Sequence, residues 1–393
     1  MKSFNQENQG SNNFKHSPLG LIPKDWEVKP LNEICDNFKS GNGITSENIF
    51  DKGVFPVYGG NGLRGFTNDF THNGKYFLIG RQGALCGNIV RIEGKNFVSE
   101  HAIAVKTNEK NDTSFLAYKL EFQNLNRLSE SSAQPGLSVE KLLKLKISIP
   151  PLSEQTAIAN CLSTWDKAIQ ATTQLIAQKE LQKKWLMQQL LTGKKRLKGF
   201  SGKVEFHVLG RYLKEISERN KENLCKRILS VTNSRGFINQ VEQFDRVVAS
   251  DDATNYKIVK KGQFAYNPSR INVGSLDLLL DFEEGILSPM YVVFETNRKI
   301  LLPEFLYYHL KSYWFTGHIP MFVQGSVRDS LSFDGLCGIR FFIPCFEEQT
   351  AIAQVLKTAD KEIQILKTKL AQLKEQKKGL MQVLLTGKKR LKI

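Results

Sequence analysis

The chain has 393 residues, of which 55 are basic and 39 are acidic, so its formal net charge is +16. Such an excess favours an anionic partner, nucleic acid first and an anionic membrane surface second. The sequence has no apolar signal-peptide core, no run of about 18 apolar residues and no Cys-x-x-Cys pair among its six cysteines. Composition therefore argues against a secreted, membrane-spanning or zinc-binding protein and favours the cytoplasm.

In chain order, the sequence predicts five segments. Residues 1–17 are rich in Asn, Gln, Ser and Lys, which predicts a disordered tail. Residues 18–149 combine short β-like runs, glycine turns and one helix near 114–124, which predicts an α/β domain. Residues 150–198 predict a long helix and a basic joint. Residues 199–343 predict a second domain with an aromatic helix near 303–314, and residues 344–393 predict a second long helix.

The two long helices are near-duplicates. Residues 150–198 and 344–392 align 194 positions apart without a gap, with 30 of 49 positions identical. Both copies contain Glu-Gln-Thr-Ala-Ile-Ala near the start and close on Leu-Leu-Thr-Gly-Lys-Lys-Arg-Leu-Lys. Ser153 is the predicted N-cap of the first helix. Gly193 and Gly387 are predicted to end the helices in the left-handed conformation.

Apolar residues at alternating steps of four and three predict a coiled-coil seam on each helix. Only Lys377 interrupts the second seam, whereas Thr172, Lys179 and Lys183 fall on the first. The first helix therefore needs a partner, and the second is the obvious one. Because each helix leaves its own domain, the two must pair antiparallel. This predicts an α+β fold: two α/β domains separated by two long antiparallel coiled-coil helices, related by a pseudo-twofold axis.

The repeated Gly-Lys-Lys-Arg-Leu-Lys runs have two interpretations. Cations favour the C-terminus of a helix, which is a purely structural role. Alternatively, each run is a phosphate clamp or a joint for a docking partner. Antiparallel pairing places Lys388–Lys392 beside the first domain, near the start of the first helix.

Two sets of residues are candidates for DNA contact, because Arg and Lys read guanine, Asn and Gln read adenine, and nearby glycines let the backbone approach phosphate. The candidates in the first domain are Lys39, Asn42, Tyr58, Asn61, Arg64, Arg81 and Gln82. Those in the second domain are Asn233, Ser234, Arg235, Asn267, Ser269, Arg270, Asn272, Gln324 and Arg328.

The whole chain resembles the specificity subunits of type I restriction–modification enzymes. The resemblance is carried by the alternation of a domain, a Pro-Leu-Ser-Glu-Gln-Thr-Ala-Ile-Ala helix start, a Leu-Leu-Thr-Gly-Lys-Lys-Arg-Leu joint, a second domain and a second helix. Within the domains, it is carried by the runs Ile79–Ala84, Phe264–Arg270 and Ser288–Tyr291.

The resemblance implies that the domains are target recognition domains, each binding half of a bipartite, asymmetric site in double-stranded DNA. It also implies that the helices set the gap between the half-sites and dock two adenine methyltransferase subunits, and through them ATP-dependent motor-nuclease subunits. S-adenosylmethionine, ATP and Mg²⁺ are then expected on the partner subunits, with no cofactor and no catalytic residue in this chain.

Catalytic motifs in the sequence are incomplete or lie in an unsuitable context. The closest run to an adenine-methyltransferase Asn-Pro-Pro-Tyr turn is Asn267-Pro268-Ser269-Arg270, which lacks the second proline and the aromatic residue. Gly60–Gly65 matches a dinucleotide-binding pattern but lies in a glycine-rich turn. Glu93-Gly94-Lys95 with Asp69 is interpreted as a hairpin turn rather than a metal site. A self-sufficient DNA-modifying enzyme with undetected motifs and a protein-binding adaptor remain the alternative functions.

Overall fold

The structure is a computed structural model that describes residues 13–83, 85–129, 136–240, 253–322 and 330–391. It divides into two compact units, Met1–Thr172 with Lys369–Ile393, and Thr173–Thr368. Each unit contains one domain of strands and short helices and a part of each long helix.

In the first unit, two four-stranded sheets form the framework. One has the order β4-β11-β8-β9 and is antiparallel, and the other has the order β6-β5-β10-β7 with a parallel β5–β10 pair; β1–β2 and β3–β12 are two-stranded. The strands are β1 (Phe14–Ser17), β2 (Gly20–Pro23), β3 (Glu27–Pro30), β4 (Cys35–Ser40), β5 (Phe55–Gly59), β6 (Gly62–Thr67), β7 (His72–Asn73), β8 (Tyr76–Gly80), β9 (Ile89–Ile92), β10 (Lys95–Val98), β11 (Ala102–Thr107) and β12 (Lys146–Ile149). Helices α1 (Thr113–Gln123) and α2 (Val139–Leu143) complete the domain.

The second unit is built on one four-stranded antiparallel sheet, β14-β21-β18-β19, with the pairs β15–β16, β17–β20 and β13–β22. Its strands are β13 (Phe206–Val208), β14 (Leu213–Ile216), β15 (Leu229–Thr232), β16 (Gly236–Asn239), β17 (Lys257–Lys260), β18 (Phe264–Tyr266), β19 (Leu276–Leu278), β20 (Glu284–Leu287), β21 (Val292–Thr296) and β22 (Arg340–Phe342). Its short helices are α4 (Pro303–Leu310), α5 (Tyr313–Phe322) and α6 (Phe333–Gly338).

The two domains begin and end in the same way. In each, the opening strand pairs antiparallel with the strand that precedes the long helix, β3 with β12 and β13 with β22. A 3₁₀ turn follows, Leu31–Glu33 or Leu209–Arg211, and leads into a sheet strand. The backbone N–H of Leu31 donates to the carbonyl of Leu145 at 3.1 Å, and that of Leu209 donates to Ile339 at 2.9 Å. The middles of the two domains differ in strand number and sheet order.

The long helices α3 (Leu152–Leu190) and α7 (Phe346–Leu384) have 39 residues each. The predicted cap at Ser153 is wrong, because α3 already begins at Leu152 and Ser153 lies inside its first turn. Both predicted glycine stops are present: Gly193 has a φ of +69° and Gly387 a φ of +72°. Two residues after each glycine, a backbone N–H donates to the carbonyl six positions earlier, from Lys195 to Gln189 and from Lys389 to Val383. These bonds satisfy acceptors that the helix end leaves open.

In both units the predicted seams are covered, and the helices run antiparallel. In the first unit, Ile158 and Leu162 near the start of α3 belong to one buried cluster with Met381 and Leu384 near the end of α7. In the second unit, Leu190 at the end of α3 shares a core with residues near the start of α7, Ile352 and Leu356. Burying these leucines and isoleucines stabilises the pair by about 1.5–3 kcal/mol per side chain.

Lysines that interrupt the seams form ion pairs with aspartates on the facing long helix. In the first unit, Lys377 on α7 lies 2.7 Å from the carboxylate of Asp166 on α3, which also accepts a hydrogen bond from the hydroxyl of Tyr118 at 2.5 Å. In the second unit, Lys183 on α3 pairs with Asp360 on α7, which accepts from the hydroxyl of Tyr308 at 2.9 Å. The same lysine–aspartate–tyrosine arrangement thus occurs once in each unit.

The arginine of each basic joint binds the glutamate at the start of the other long helix. Two guanidinium nitrogens of Arg196, Nε and Nη2, donate to the carboxylate of Glu348, whose side chain is fully buried. In the other unit, Arg390 contacts Glu154 at 2.5 and 2.6 Å and also Asp25 at 2.7 and 2.9 Å. The prediction that the last basic run returns to the first domain is therefore correct as far as Arg390, and Lys392 lies outside the described residues.

A buried lysine ties the end of α7 to the first domain. The ammonium of Lys119 donates to the carbonyl of Leu385 at 2.5 Å and to the hydroxyl of Ser148 at 2.8 Å, and it lies over the ring of Trp26. Burial lowers the pKa of Lys119 to about 8.

Among the helices of the described residues, none combines the length and the apolar character that a membrane span requires.

The arginine–glutamate pairs predict a large effect of Arg196→Ala on stability. Removing the arginine leaves the buried carboxylate of Glu348 without its countercharge, so we expect the free energy of unfolding in urea to fall by about 3–5 kcal/mol. The control Lys198→Ala, an exposed cation of the same run, should change it by less than about 0.5 kcal/mol. The double variant Arg196→Ala with Glu348→Gln should recover much of the loss, because a neutral amide is cheaper to bury. A single variant as stable as the wild type would show that Glu348 does not need its partner.

Lys119 predicts a specific pH dependence. Its pKa is about 8 in the folded chain and about 10.4 when unfolded. Between these values the unfolded state binds more protons, so the contribution of Lys119 to stability rises with pH. The free energy of unfolding of the wild type should therefore increase by about 2 kcal/mol relative to Lys119→Met between pH 8 and pH 10. A difference that stays constant over this range would contradict the depressed pKa.

Candidate nucleic-acid interface

The first polar cluster comprises Asn42, Tyr58, Asn61, Arg64, Arg81 and Gln82. It is organised by the chain between Val98 and Ala102. The N–H of Asn42 donates to the carbonyl of Val98 at 2.9 Å, and the N–H of Ser99 donates to the carbonyl of Tyr58 at 2.8 Å. The N–H of Arg81 donates to the carbonyl of His101 at 3.0 Å. Three residues from separate parts of the sequence are thereby anchored on one short segment.

Glycines allow these segments to approach closely. A Cβ on Gly60 would lie 2.8 Å from the carbonyl oxygen of His101, and one on Gly80 would lie 2.6 Å from the carbonyl oxygen of Gly60. Either contact is too short for a real side chain, so these positions require glycine. Asn61 follows Gly60 in the β5–β6 hairpin turn and is exposed. The glycine-rich run Gly60–Gly65 is therefore a hairpin and not the start of a helix.

Three basic or amide side chains surround this junction. The side chain of Arg64 lies over Gly59, where an added Cβ would be 2.7 Å from its Cδ. The guanidinium of Arg81 donates to the hydroxyl of Ser40 at 3.3 Å, and Gln82 is exposed next to it. Lys39 precedes Ser40 on β4, so its side chain points to the opposite face of that strand and away from Arg81.

The second polar cluster comprises Asn233, Ser234, Arg235, Asn267, Ser269, Arg270 and Asn272, in two segments that the structure brings together. The first three form the exposed turn between β15 and β16. Asn267 to Asn272 lie at and in the 3₁₀ helix Pro268–Val273. The hydroxyl of Ser275 donates to the carbonyl of Val231 at 2.8 Å, and the Asn233 side chain occupies the space of a Cβ on Gly274.

Asn267 has a local structural role within this cluster. Its amide oxygen accepts from the N–H of Ser269 at 3.1 Å and so caps the 3₁₀ helix. Its amide nitrogen lies 3.5 Å from the sulfur of Met290. Ser269, Arg270 and Asn272 are exposed. The other two candidates, Gln324 and Arg328, lie outside the described residues.

No group of three or more His, Cys, Asp or Glu side chains that would hold a metal ion occurs in the described ranges. The interpretation of Glu93-Gly94-Lys95 as a hairpin turn is wrong in one respect: it is a turn, with a φ of +78° at Gly94, but it joins β9 and β10, which lie in different sheets.

Sequence reasoning missed the ion pairs that hold the long helices together. Both interpretations of the basic joints overlooked that Arg196 and Arg390 bind buried glutamates. A signal was present in the repeat, because glutamate, aspartate, lysine and arginine recur at identical positions in both copies: Glu154 and Glu348, Asp166 and Asp360, Lys183 and Lys377, Arg196 and Arg390. Opposite charges retained at the two ends of an antiparallel pair are expected to meet.

Comparison with known proteins agrees with this architecture. The MjaVIII type I restriction enzyme specificity subunit of Methanocaldococcus jannaschii is 25% identical over 97% of this chain and 96% of its own length. The EcoprrI type I restriction enzyme specificity subunit of Escherichia coli is 37% identical over 151 residues, which cover 37% of each protein. The crystal structure of a type I restriction–modification S subunit from M. genitalium superimposes with a TM-score of 0.65 at 16% identity, covering 96% of this chain and 98% of that one.

The profile of the type I restriction modification DNA specificity domain matches residues 23–181 and 277–375. These two regions fall in successive copies of the domain-and-helix arrangement and together span well over half of the sequence. The chain belongs to the type I restriction modification DNA specificity family.

Proposed function

We propose that this chain is the non-catalytic specificity subunit of a type I restriction–modification enzyme and reads a bipartite, asymmetric site in double-stranded DNA. The observation that carries the proposal is the duplication: each unit joins one mixed domain bearing its own polar cluster to parts of two near-identical helices. Because the two clusters differ in sequence, each would read a different half-site. The net charge of +16 favours binding to the phosphate backbone.

The proposal assigns the chemistry to partner subunits. Two adenine methyltransferase subunits would dock on the long helices and supply S-adenosylmethionine, and motor-nuclease subunits would supply ATP and Mg²⁺ chemistry. The proposed recognition domains are residues 18–149 and 199–343, and the proposed helices are 150–198 and 344–393. The prediction of a disordered tail over 1–17 is wrong for Phe14–Ser17, which form β1 and pair with β2, so the first domain extends back to Phe14. The helices are proposed to set the gap between the half-sites.

The decisive experiment mixes the purified chain with a type I adenine methyltransferase subunit from the same organism and measures adenine methylation of genomic DNA. We expect methylation only in the mixture, at a single bipartite sequence. Methylation or cleavage by the chain alone, with S-adenosylmethionine or with Mg²⁺, would instead support a self-sufficient enzyme. DNA binding that does not weaken as salt is raised would support a protein-binding adaptor, because phosphate contacts release counterions.

The two polar clusters predict separable effects on specificity. Arg64→Ala and Arg270→Ala should each weaken binding to the target by about 1–3 kcal/mol and relax the base preference in one half-site only. Each variant is the control for the other, because Arg64 and Arg270 belong to different clusters and should affect different halves. The measurement is methylation of a library randomised at each position of the site. Equal losses on target and random DNA would identify these arginines as backbone contacts.

A further inference from the structure

Large apolar side chains are exposed on the segments beside both polar clusters. In the first unit, Leu63 and Leu85 are 55% and 53% exposed. In the second, Val273 and Met290 are 58% and 62% exposed. Single exposed apolar residues are normal on protein surfaces. Here, however, Leu63 pairs with Tyr58, Leu85 follows Gln82 on the loop between β8 and β9, and the sulfur of Met290 contacts Asn267.

The backbone of Leu85 lies at the junction that organises the first polar cluster. A Cβ on Gly80 would be 2.9 Å from the carbonyl oxygen of Leu85 and 2.6 Å from that of Gly60. The segment that carries Asn61, the segment that carries Arg81 and the loop that carries Leu85 are therefore in contact. Leu63 lies opposite Tyr58 in the β5–β6 pairing.

Met290 lies beside the second polar cluster, on the loop between β20 and β21. Its sulfur is 3.5 Å from the amide nitrogen of Asn267, and Val273 ends the 3₁₀ helix that presents Arg270 and Asn272. Methionine is unbranched and adapts its shape to an irregular surface. Leu85 follows β8 and Met290 precedes β21, so the two apolar side chains stand on different loops of the two domains.

The major-groove edge of DNA offers one apolar group, the C5-methyl of thymine, which shares the edge of an A·T pair with adenine N7 and N6 and thymine O4. Asn, Gln and Arg side chains satisfy the polar atoms of base edges, but they leave the methyl without a partner. An exposed leucine or methionine beside them supplies one. Building on the proposed DNA-reading function, we infer that Leu85 and Met290 each pack against a thymine methyl group in the half-site that their domain reads.

The test uses the chain assembled with its partner methyltransferase and duplexes in which each thymine of the mapped site is replaced in turn by uracil, which lacks only the methyl group. For the wild type, one uracil in the first half-site should lower the methylation rate about fourfold, the effect of leaving one methyl-sized group exposed. Leu85→Ala should lose about as much on the thymine duplex and lose nothing more at that uracil. Met290→Ala should behave likewise in the other half-site.

Leu21→Ala is the matched control, since Leu21 is 61% exposed on β2 in the same unit and outside the polar cluster. It should keep the wild-type response to uracil. Insensitivity of the wild type to uracil at every thymine of both half-sites would overturn the inference. So would independent, additive losses from Leu85→Ala and from uracil, which would point to a leucine wedged between bases. Failure of the proposed function is a separate result: the wild-type mixture would then methylate no defined site.

Discussion

The structure depends on two buried carboxylates at the starts of the long helices. Glu154 and Glu348 are removed from water, and each is held by the arginine that follows the end of the other helix. A buried carboxylate is tolerated only when a partner and further hydrogen bonds compensate its lost hydration. Trp26 supplies such a bond to Glu154, from its indole N–H at 3.1 Å. Each pair joins the start of one long helix to the joint beyond the other, so it cannot form unless the helices lie antiparallel.

The polar positions of the seam add a second constraint of the same kind. A leucine seam alone tolerates changes of register and direction, whereas a charged residue at a seam position needs its partner at one place. Lys183 and Lys377 each meet an aspartate that also binds a tyrosine from the adjoining domain. The tyrosine connects the helix register to the domain. The three groups therefore couple the alignment of the helices to the placement of the recognition domain in each unit.

The polar clusters are held by backbone hydrogen bonds, whereas the helices are held by buried ion pairs and apolar contacts. The side chains of the polar clusters sit on turns, on a 3₁₀ helix and on strands β5 and β6. The backbone beneath them is held by hydrogen bonds of the chain 98–101 in one domain and by Ser275 in the other. Exposed turn residues contribute little to stability and can change without loss of the fold. The glycines beneath them cannot, because a Cβ on Gly60 or Gly80 would meet a backbone carbonyl oxygen and because Gly274 has a φ of +89°. Recognition can thus vary on a framework that is kept by close backbone contacts.

Much of this protein is determined by local sequence patterns. The helices α3 and α7 follow from a seven-residue periodicity and end at glycines, and strands such as β8 and β11 follow from short apolar runs, because periodicity and caps act over a few residues. The duplication is evident from the sequence alone, because the two copies align 194 positions apart without a gap. The partners of Arg390 required the tertiary structure, since Glu154 and Asp25 are 236 and 365 positions away. The same holds for the meeting of Asn42, Tyr58 and Arg81, because backbone hydrogen bonds between distant strands leave no periodic signal in the residues that they join.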